Sequence, residues 1–282
     1  MKEKTLMKTL YITDLDGTLL NSNAELTEKS AKIIKALIEK GIMFSVATAR
    51  TKATVLDMFQ NVGMNMPIAL MNGVSVYDTA NGSTAVNHCI DKSVASEILK
   101  IYEKYGKHPM LYFSKEDFLE IVYTEIDNIH QQEYITDRNN RKLKKFKKVK
   151  EYDLNNKEEL LYIVSFDKPE ELRPIYDEIR ALEGVVSCFY SDNYTDCNFL
   201  ETMNGSISKG TAAQEIKALT GADKIVAFGD NLNDIPLFAV ADEAYAVSDA
   251  HAELKKVASG IIGSNDEDAV AEFICKHAGL SI

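Results

Sequence analysis

The chain predicts an α/β protein in which a parallel sheet covered by helices is interrupted by an inserted α+β module. Three observations carry this. Residues 9–77 alternate short apolar runs with stretches of helical period; from about residue 86 the order becomes mixed; and from Ser208 the first alternation returns. At 282 residues and 45% apolar composition, two domains with sizeable cores are expected. The division predicted is a discontinuous core, 1–85 with 202–282, and an insert over 86–201.

The first apolar run, Thr9 to Thr13, is a buried strand. Leu26 to Lys40 follows as a helix, with Thr27 as candidate N-cap, apolar residues at 31, 34, 37 and 38, and Gly41 just past its end. Ile42 to Val46 is a strand, Thr51 to Asn61 a helix and Ile68 to Met71 a strand. Asn72-Gly73 then turns the chain into a hairpin strand, Val74 to Tyr77. This βαβαβ order predicts right-handed crossovers. In the insert, a helix over Lys92 to Tyr105 precedes strands at Met110 to Phe113 and Phe118 to Val122, a helical stretch, a basic segment and a strand at Leu160 to Phe166. A helix over Glu170 to Leu182 follows, with Pro174 predicting a start near itself. Strands at Val185 to Tyr190 and Asn198 to Glu201 close the module. Lys209 to Thr220 is then a helix stopped at Gly221, Lys224 to Phe228 a strand, and short helix–strand units complete the core.

A formal charge of −11 disfavours non-specific nucleic-acid binding, which needs clustered cations. Arg141 to Lys150, with seven cationic residues in ten, runs against that balance; it reads as a solvated face, with attraction of anionic substrates as the alternative. Cys89, Cys188, Cys197 and Cys275 contain no close pair, so neither a zinc knuckle nor a dithiol redox motif is predicted. Reduced thiols, no apolar run long enough for a membrane span and a charged start to the chain predict a cytoplasmic protein with no membrane or nucleic-acid partner.

The chemistry is concentrated after core strands. Asp14-Leu15-Asp16-Gly17-Thr18 puts two carboxylates on one side of an extended chain, an arrangement that calls for a cation, a proton or a turn. Gly17 supplies a turn, and hard oxygen ligation would suit Mg²⁺. Thr48-Ala49-Arg50 offers a hydroxyl and backbone N–H groups to an anion. Lys209 opens a helix and would add a point charge for phosphate. Gly229-Asp230-Asn231-Leu232-Asn233-Asp234 returns two more carboxylates to the same edge. Each has a plainer reading: an Asp-x-Asp-Gly turn, Thr48 as an N-cap, Lys209 as a surface cation, Asp234 as a cap before Pro236. Together and in this order, the plain readings fail to explain why all four meet one sheet edge.

These four segments resemble the motifs of the haloacid dehalogenase superfamily. Met71-Asn72-Gly73 ahead of the insert resembles its Cof-type sugar-phosphate phosphatases with a type IIB cap. One departure is visible: Ala49 stands where the family usually has glycine, a harmless change where φ is negative. The resemblance implies a Rossmann-like core and a Mg²⁺-dependent phosphatase of small phosphate esters such as sugar phosphates. It implies Asp14 as nucleophile forming an aspartyl-phosphate and Asp16 as acid/base. Mg²⁺ would be held by Asp14, the Asp16 carbonyl and Asp230. Thr48, the N–H of Ala49, Lys209 and Asn233 would bind the phosphoryl group, supported by Asp234. The cap would then read the leaving group, with Tyr112, Phe113, Tyr190 and Tyr194 as candidate contacts, against the commoner role of cap aromatics as core. A phosphomutase and a non-catalytic phospho-metabolite-binding protein are the competing readings; a homo-oligomer is compatible with the sequence.

Overall fold

The computed structural model describes residues 7–115, 118–140, 145–192 and 195–280. The chain divides into two compact units, Met1–Val86 with Ile207–Ile282, and Asn87–Ser206.

The first unit is built on a parallel five-stranded sheet. Strands β1 (Thr9–Thr13) and β2 (Met43–Val46) are joined through α1 (Glu28–Glu39), and α2 (Lys52–Met58) leads to β3 (Pro67–Leu70). The hairpin strand β4 (Ser75–Asp78) is followed by β5 (Ser83–Asn87). Thr27 caps α1, its side chain accepting from the Ser30 N–H, and Ile34, Leu37 and Ile38 bury the helix's apolar stripe. The chain returns after the second unit as α6 (Lys209–Thr220) and β12 (Lys224–Gly229), then α7 (Ile235–Val240), β13 (Glu243–Ala246), α8 (Ala252–Val257), β14 (Gly260–Ile261) and α9 (Ala269–His277). The order across the sheet is β14-β13-β12-β1-β2, all parallel, so β1 is an interior strand flanked by β12 and β2. Leu10, Tyr11 and Ile12 are correspondingly buried.

The third strand departs from the expected parallel ladder. β3 meets the line of β2 only through a bridge between Ala47 and Ala69, and pairs antiparallel with β4 in a sheet of order β3-β4-β5. Pro67 has no N–H to give a ladder, and its carbonyl is taken by the Ser45 hydroxyl at 2.6 Å. β5, exposed over Ser83–Ala85, has too weak a pattern to be read from sequence.

The second unit is a six-stranded sheet. Its elements in chain order are α3 (Lys92–Lys104), β6 (Met110–Lys115), β7 (Phe118–Tyr123), α4 (Ile129–Asn140), β8 (Lys145–Lys148), β9 (Glu159–Asp167), α5 (Pro169–Ile179), β10 (Val185–Ser191) and β11 (Asn198–Asn204). The order is β10-β11-β9-β6-β7-β8, antiparallel except for β7 with β8. One face is sealed by α3 and α5 over Leu111, Phe113, Leu160, Ile163 and Leu200. On the other face the register sets Tyr112 beside Tyr162 and Phe166 beside Phe199.

Three expectations shift here. α5 begins at Pro169, where a proline is tolerated in the first turn, and Pro174 lies inside it, so the start near Pro174 does not hold. β11 continues past residue 201 to Asn204 because it pairs with β10 along its whole length. The described part of the basic segment, 145–150, contains a short strand in which Lys145, Lys147 and Lys148 are exposed and Phe146 turns inward; residues 141–144 lie outside the described residues. Among the described residues no helix is long and apolar enough to cross a membrane.

Candidate active site

The parallel register brings the sequence motifs to one edge. Thr13 is level with Phe228 on one side and Val46 on the other. The next residue of each strand therefore leaves the sheet at the same end, where open α/β folds place ligands. The Asp14 N–H still donates to the Phe228 carbonyl (3.0 Å), and the Ala47 N–H donates to Thr13 (2.8 Å), so the positions of Asp14 and Thr48 are set by backbone bonds.

After Asp14 the chain makes a tight turn over Leu15–Leu19, closed by the Leu20 N–H donating to the Leu15 carbonyl. Gly17 sits at φ +75°, and a Cβ there would lie 2.6 Å from Asp230 Oδ2. Both the left-handed backbone and the absence of a side chain are therefore required. The turn delivers Thr18, whose hydroxyl donates to Asp230 Oδ1 at 2.8 Å.

The centre is a buried charge triad. Lys209, 1% exposed, reaches Asp14 Oδ2 at 2.8 Å and Asp234 Oδ1 at 2.7 Å. Lys209 is the first residue of α6, whose N-terminus is closed by a reciprocal bond pair between Ser208 and Thr211. Gly210 lets that helix approach α7, since a Cβ there would meet the Pro236 carbonyl at 2.2 Å. Asp234 is fully buried, and its Oδ2 accepts from the N–H groups of Asp230 and Asn231, both at 3.0 Å. Asp234 does stand at the N-cap position of α7, but its side chain makes no bond to that helix; it closes the preceding turn through the Asn231 N–H and holds Lys209 instead. Asp14 Oδ1 accepts from the Leu15 N–H at 2.7 Å.

Electrostatics follow from this packing. Burial pushes the Asp14 carboxyl up to about 7; Lys209 pulls it down and Asp234 pushes it up. Burial likewise raises the Asp230 carboxyl, with Thr18 opposing and Asp234 adding to the rise. Burial works against the Lys209 charge, but Asp14 and Asp234 outweigh it and hold the ammonium above its ordinary pKa. Two carboxylates buried beside a third share one buried cation.

The other predicted residues lie around this triad. Asp16, half-exposed, is engaged by Arg50 through two bonds, Nε to Oδ2 at 2.8 Å and a terminal nitrogen to Oδ1 at 2.6 Å. Thr48 is buried and its hydroxyl accepts from the Arg50 N–H; the cap of α2 is Thr51, so Thr48 is not a helix cap. Ala49 is exposed and is not among the positive-φ residues, which makes the alanine harmless. Asn233 is exposed and its amide donates to Asn72 Oδ1 at 3.2 Å.

Three residues beyond those singled out take part. Thr18 and Arg50 lie inside recognised motifs, but their partners come from strands remote in sequence. Asn72 reads as a turn residue; the fold gives Met71, Asn72 and Gly73 successive positive φ values of 54°, 57° and 101°. Held in this conformation, Met71 and Asn72 donate their N–H groups to the carbonyls of Arg50 and Thr48. Of the candidate contacts in the second unit, Phe113 is buried under the helices and Tyr112 is 4% exposed with its hydroxyl on Tyr134. Tyr190 is 45% exposed, and Tyr194 lies outside the described residues.

The donor set fits a hard divalent cation. Asp14, Asp230 and Asp234 offer carboxylate oxygens within 4.8 Å of one another. Asp234 is committed to Lys209 and two N–H groups, which leaves Asp14 and Asp230 as carboxylate donors in an all-oxygen site.

A family model for haloacid dehalogenase-like hydrolases matches residues 11–274. The chain belongs to that family. It is an enzyme of the hydrolase class, and the fold class expected from sequence is borne out. A Buchnera aphidicola (subsp. Schizaphis graminum, strain Sg) protein named "Putative phosphatase" is 27% identical over 96% of each chain. The 5-amino-6-(5-phospho-D-ribitylamino)uracil phosphatase YwtE of Bacillus subtilis (strain 168) is 26% identical, over 95% of this chain and 97% of its own. Among solved structures, the HAD subclass IIB sugar phosphatase BT4131 superposes with a TM-score of 0.70 at 20% identity, over 96% of this chain and 99% of that one, a likeness of fold.

Proposed function

We propose that this member of the haloacid dehalogenase-like hydrolases is a cytoplasmic, Mg²⁺-dependent phosphatase of small phosphorylated metabolites, sugar phosphates or similar, working through an aspartyl-phosphate. The observation that supports it most is the contact of Asp14 with Lys209, itself braced by the buried Asp234, at the end of the interior strand β1. A carboxylate held against a fixed cation, with one oxygen pinned by a backbone N–H, is a positioned nucleophile.

In this reading Asp14 forms a bond to phosphorus as the ester P–O bond breaks, and Asp16 gives its proton to the leaving alcohol oxygen. Asp16 then takes a proton from water as that water attacks phosphorus, which releases Asp14 and inorganic phosphate. For either step Asp16 must leave Arg50. The pair is half-exposed, so separating it costs about 1 kcal/mol or less. Lys209, the Thr48 hydroxyl, the Ala49 N–H and Asn233 neutralise and orient the phosphoryl oxygens. Asp14, the Asp16 carbonyl and Asp230 would hold Mg²⁺, which supplies further charge neutralisation at those oxygens. The uracil-bearing substrate in the name of the YwtE relative is consistent with a phosphorylated polyol as the reacting end. The inserted unit would read the rest of the substrate.

The test is Asp14→Asn with a generic aryl phosphate and Mg²⁺. Phosphate release should vanish while the circular dichroism spectrum is kept, and undiminished turnover would overturn the reading. A panel of phosphorylated sugars, nucleotides and cofactors then defines the substrate.

A further inference from the structure

The second unit gathers a mixed set of donors that the phosphatase reading leaves unused. His130, in the first turn of α4, directs Nε2 at Asp196 Oδ1, 3.6 Å away, and Cys197 Sγ lies 4.0 Å from that same oxygen. One ligand atom from each of the three falls within 4.8 Å of the others. Zinc bonds of roughly 2.0–2.3 Å arranged tetrahedrally separate their donors by roughly 3.3–3.6 Å. The observed cluster therefore needs only a small contraction to close on an ion.

The surroundings match such a site. His130 Nδ1 is shielded from solvent and has no hydrogen-bond partner among the described residues, while Glu133 Oε2, one turn along the helix, lies 3.5 Å from it. A carboxylate behind an imidazole whose other nitrogen faces the ligand cluster is the usual outer arrangement of a histidine metal ligand. Lys168 approaches the opposite oxygen of Asp196 at 4.0 Å and leaves the oxygen shared with His130 and Cys197 open. Cys197 is 1% exposed, so the cluster spans the boundary between interior and solvent, as a ligand set with a water-accessible fourth position would. Without an ion the imidazole pairs with this oxygen and the thiol donates to it, so all three groups already converge on one point that a metal would occupy by replacing those contacts.

We propose that His130, Asp196 and Cys197 bind one borderline-soft divalent ion of the zinc class, with water in the fourth position. An imidazole, a carboxylate and a thiolate select such an ion over Mg²⁺, so this site is distinct in chemistry from the all-oxygen one in the first unit. Its effect would be to clip α4 to the start of β11. α4 is mostly polar, Ile129-His-Gln-Gln-Glu-Tyr-Ile-Thr-Asp-Arg-Asn-Asn, and rests on the sheet chiefly through Tyr134 and Ile135, so added anchorage has a clear use.

The experiment uses the full chain stripped of metal by chelation and then titrated with Zn²⁺ and with Co²⁺ in excess Mg²⁺. One Zn²⁺ per chain should bind, the Co²⁺ form should show thiolate-to-cobalt charge-transfer absorption, and Zn²⁺ should raise the thermal midpoint. Cys197→Ser should remove the charge-transfer band, and His130→Ala and Asp196→Asn should each weaken Zn²⁺ at least about tenfold. Asp230→Asn, which alters only the first unit's site, should leave all three readouts in place. Wild-type protein that binds no Zn²⁺ while folded, or equal binding and an unchanged cobalt spectrum in the variants, overturns the proposal. His130 and Asp196 are partly exposed, so their variants keep the test open if Cys197→Ser does not fold.

Discussion

The two units use opposite means to hold their polar and aromatic groups. In the first, two buried carboxylates, Asp14 and Asp234, meet one buried ammonium within hydrogen-bond distance, each carboxylate also held by backbone N–H groups, with the half-buried Asp230 beside them. In the second, rings tile a sheet face: Phe199 stacks on Phe166 at 4.3 Å and on Tyr190 at 5.6 Å, and Tyr134 meets it edge-on at 5.8 Å. Charges in a low-dielectric site depend on every partner, so a single change there alters both stability and chemistry. Ring packing is a sum of many small contacts, so the loss of one partner costs only its own share.

The sharpest way to break this contrast is Lys209→Met. It leaves Asp14 and Asp234 buried with no cation, so unfolding free energy should fall by about 3–5 kcal/mol and turnover should be lost. A denaturant titration checks the first, and retention of full stability would contradict the dependence of both carboxylates on this lysine.

Next in size is Asp14→Asn, with the opposite sign. Asp14 has a folded-state pKa raised to about 7 from an ordinary carboxylate value, so its ionisation in metal-free protein is harder folded than unfolded. Stability attributable to this group is whole below the unfolded pKa and declines as pH rises through about 7. The asparagine variant, measured with chelator, should therefore gain on the wild type between about pH 4 and pH 7, by on the order of 1–4 kcal/mol, and hold that gain above. A pH-independent difference would mean that the carboxylate is not penalised by its burial.

Gly17→Ala should cost about 1–3 kcal/mol through its left-handed backbone and the displaced Asp230 carboxylate. Mg²⁺ dependence of turnover, read as the half-saturating concentration, should move upward with it. The smallest effect on chemistry is expected from Phe199→Ala. It should lower the thermal midpoint, at about 2 kcal/mol for a half-buried ring, while turnover of a small aryl phosphate stays within about twofold. A large loss of turnover there would blur the division between the units.

What could be read from the sequence follows the same division. Asp14, Asp16, Lys209 and Asp230 announce themselves because each motif is contiguous and its strand or helix has a strong local pattern. α6 begins and ends where capping residues predict. Arg50 on Asp16, Thr18 on Asp230 and Asn233 on Asn72 are pairings between segments far apart in the chain, and no local period encodes them. The same holds for His130 with Asp196 and Cys197: cysteine spacing carries no signal when the other ligand comes from a different element. In the second unit, the aromatic residues that face the helices and those on the other side alternate along single strands. Phe113 and Tyr112 are neighbours in sequence and on opposite faces, which composition alone cannot sort.

The lysines of β8 have a further consequence. Among the described residues β8 is the last strand of its sheet, so one side of its backbone has no neighbouring strand there. A second copy of the chain adding a strand there would bring its own lysines against Lys145, Lys147 and Lys148, and the repulsion would fall while the lone strand was still forming its first hydrogen bonds. The segment that reads as a solvated face thus also disfavours self-templating, most usefully when newly made chains are crowded together.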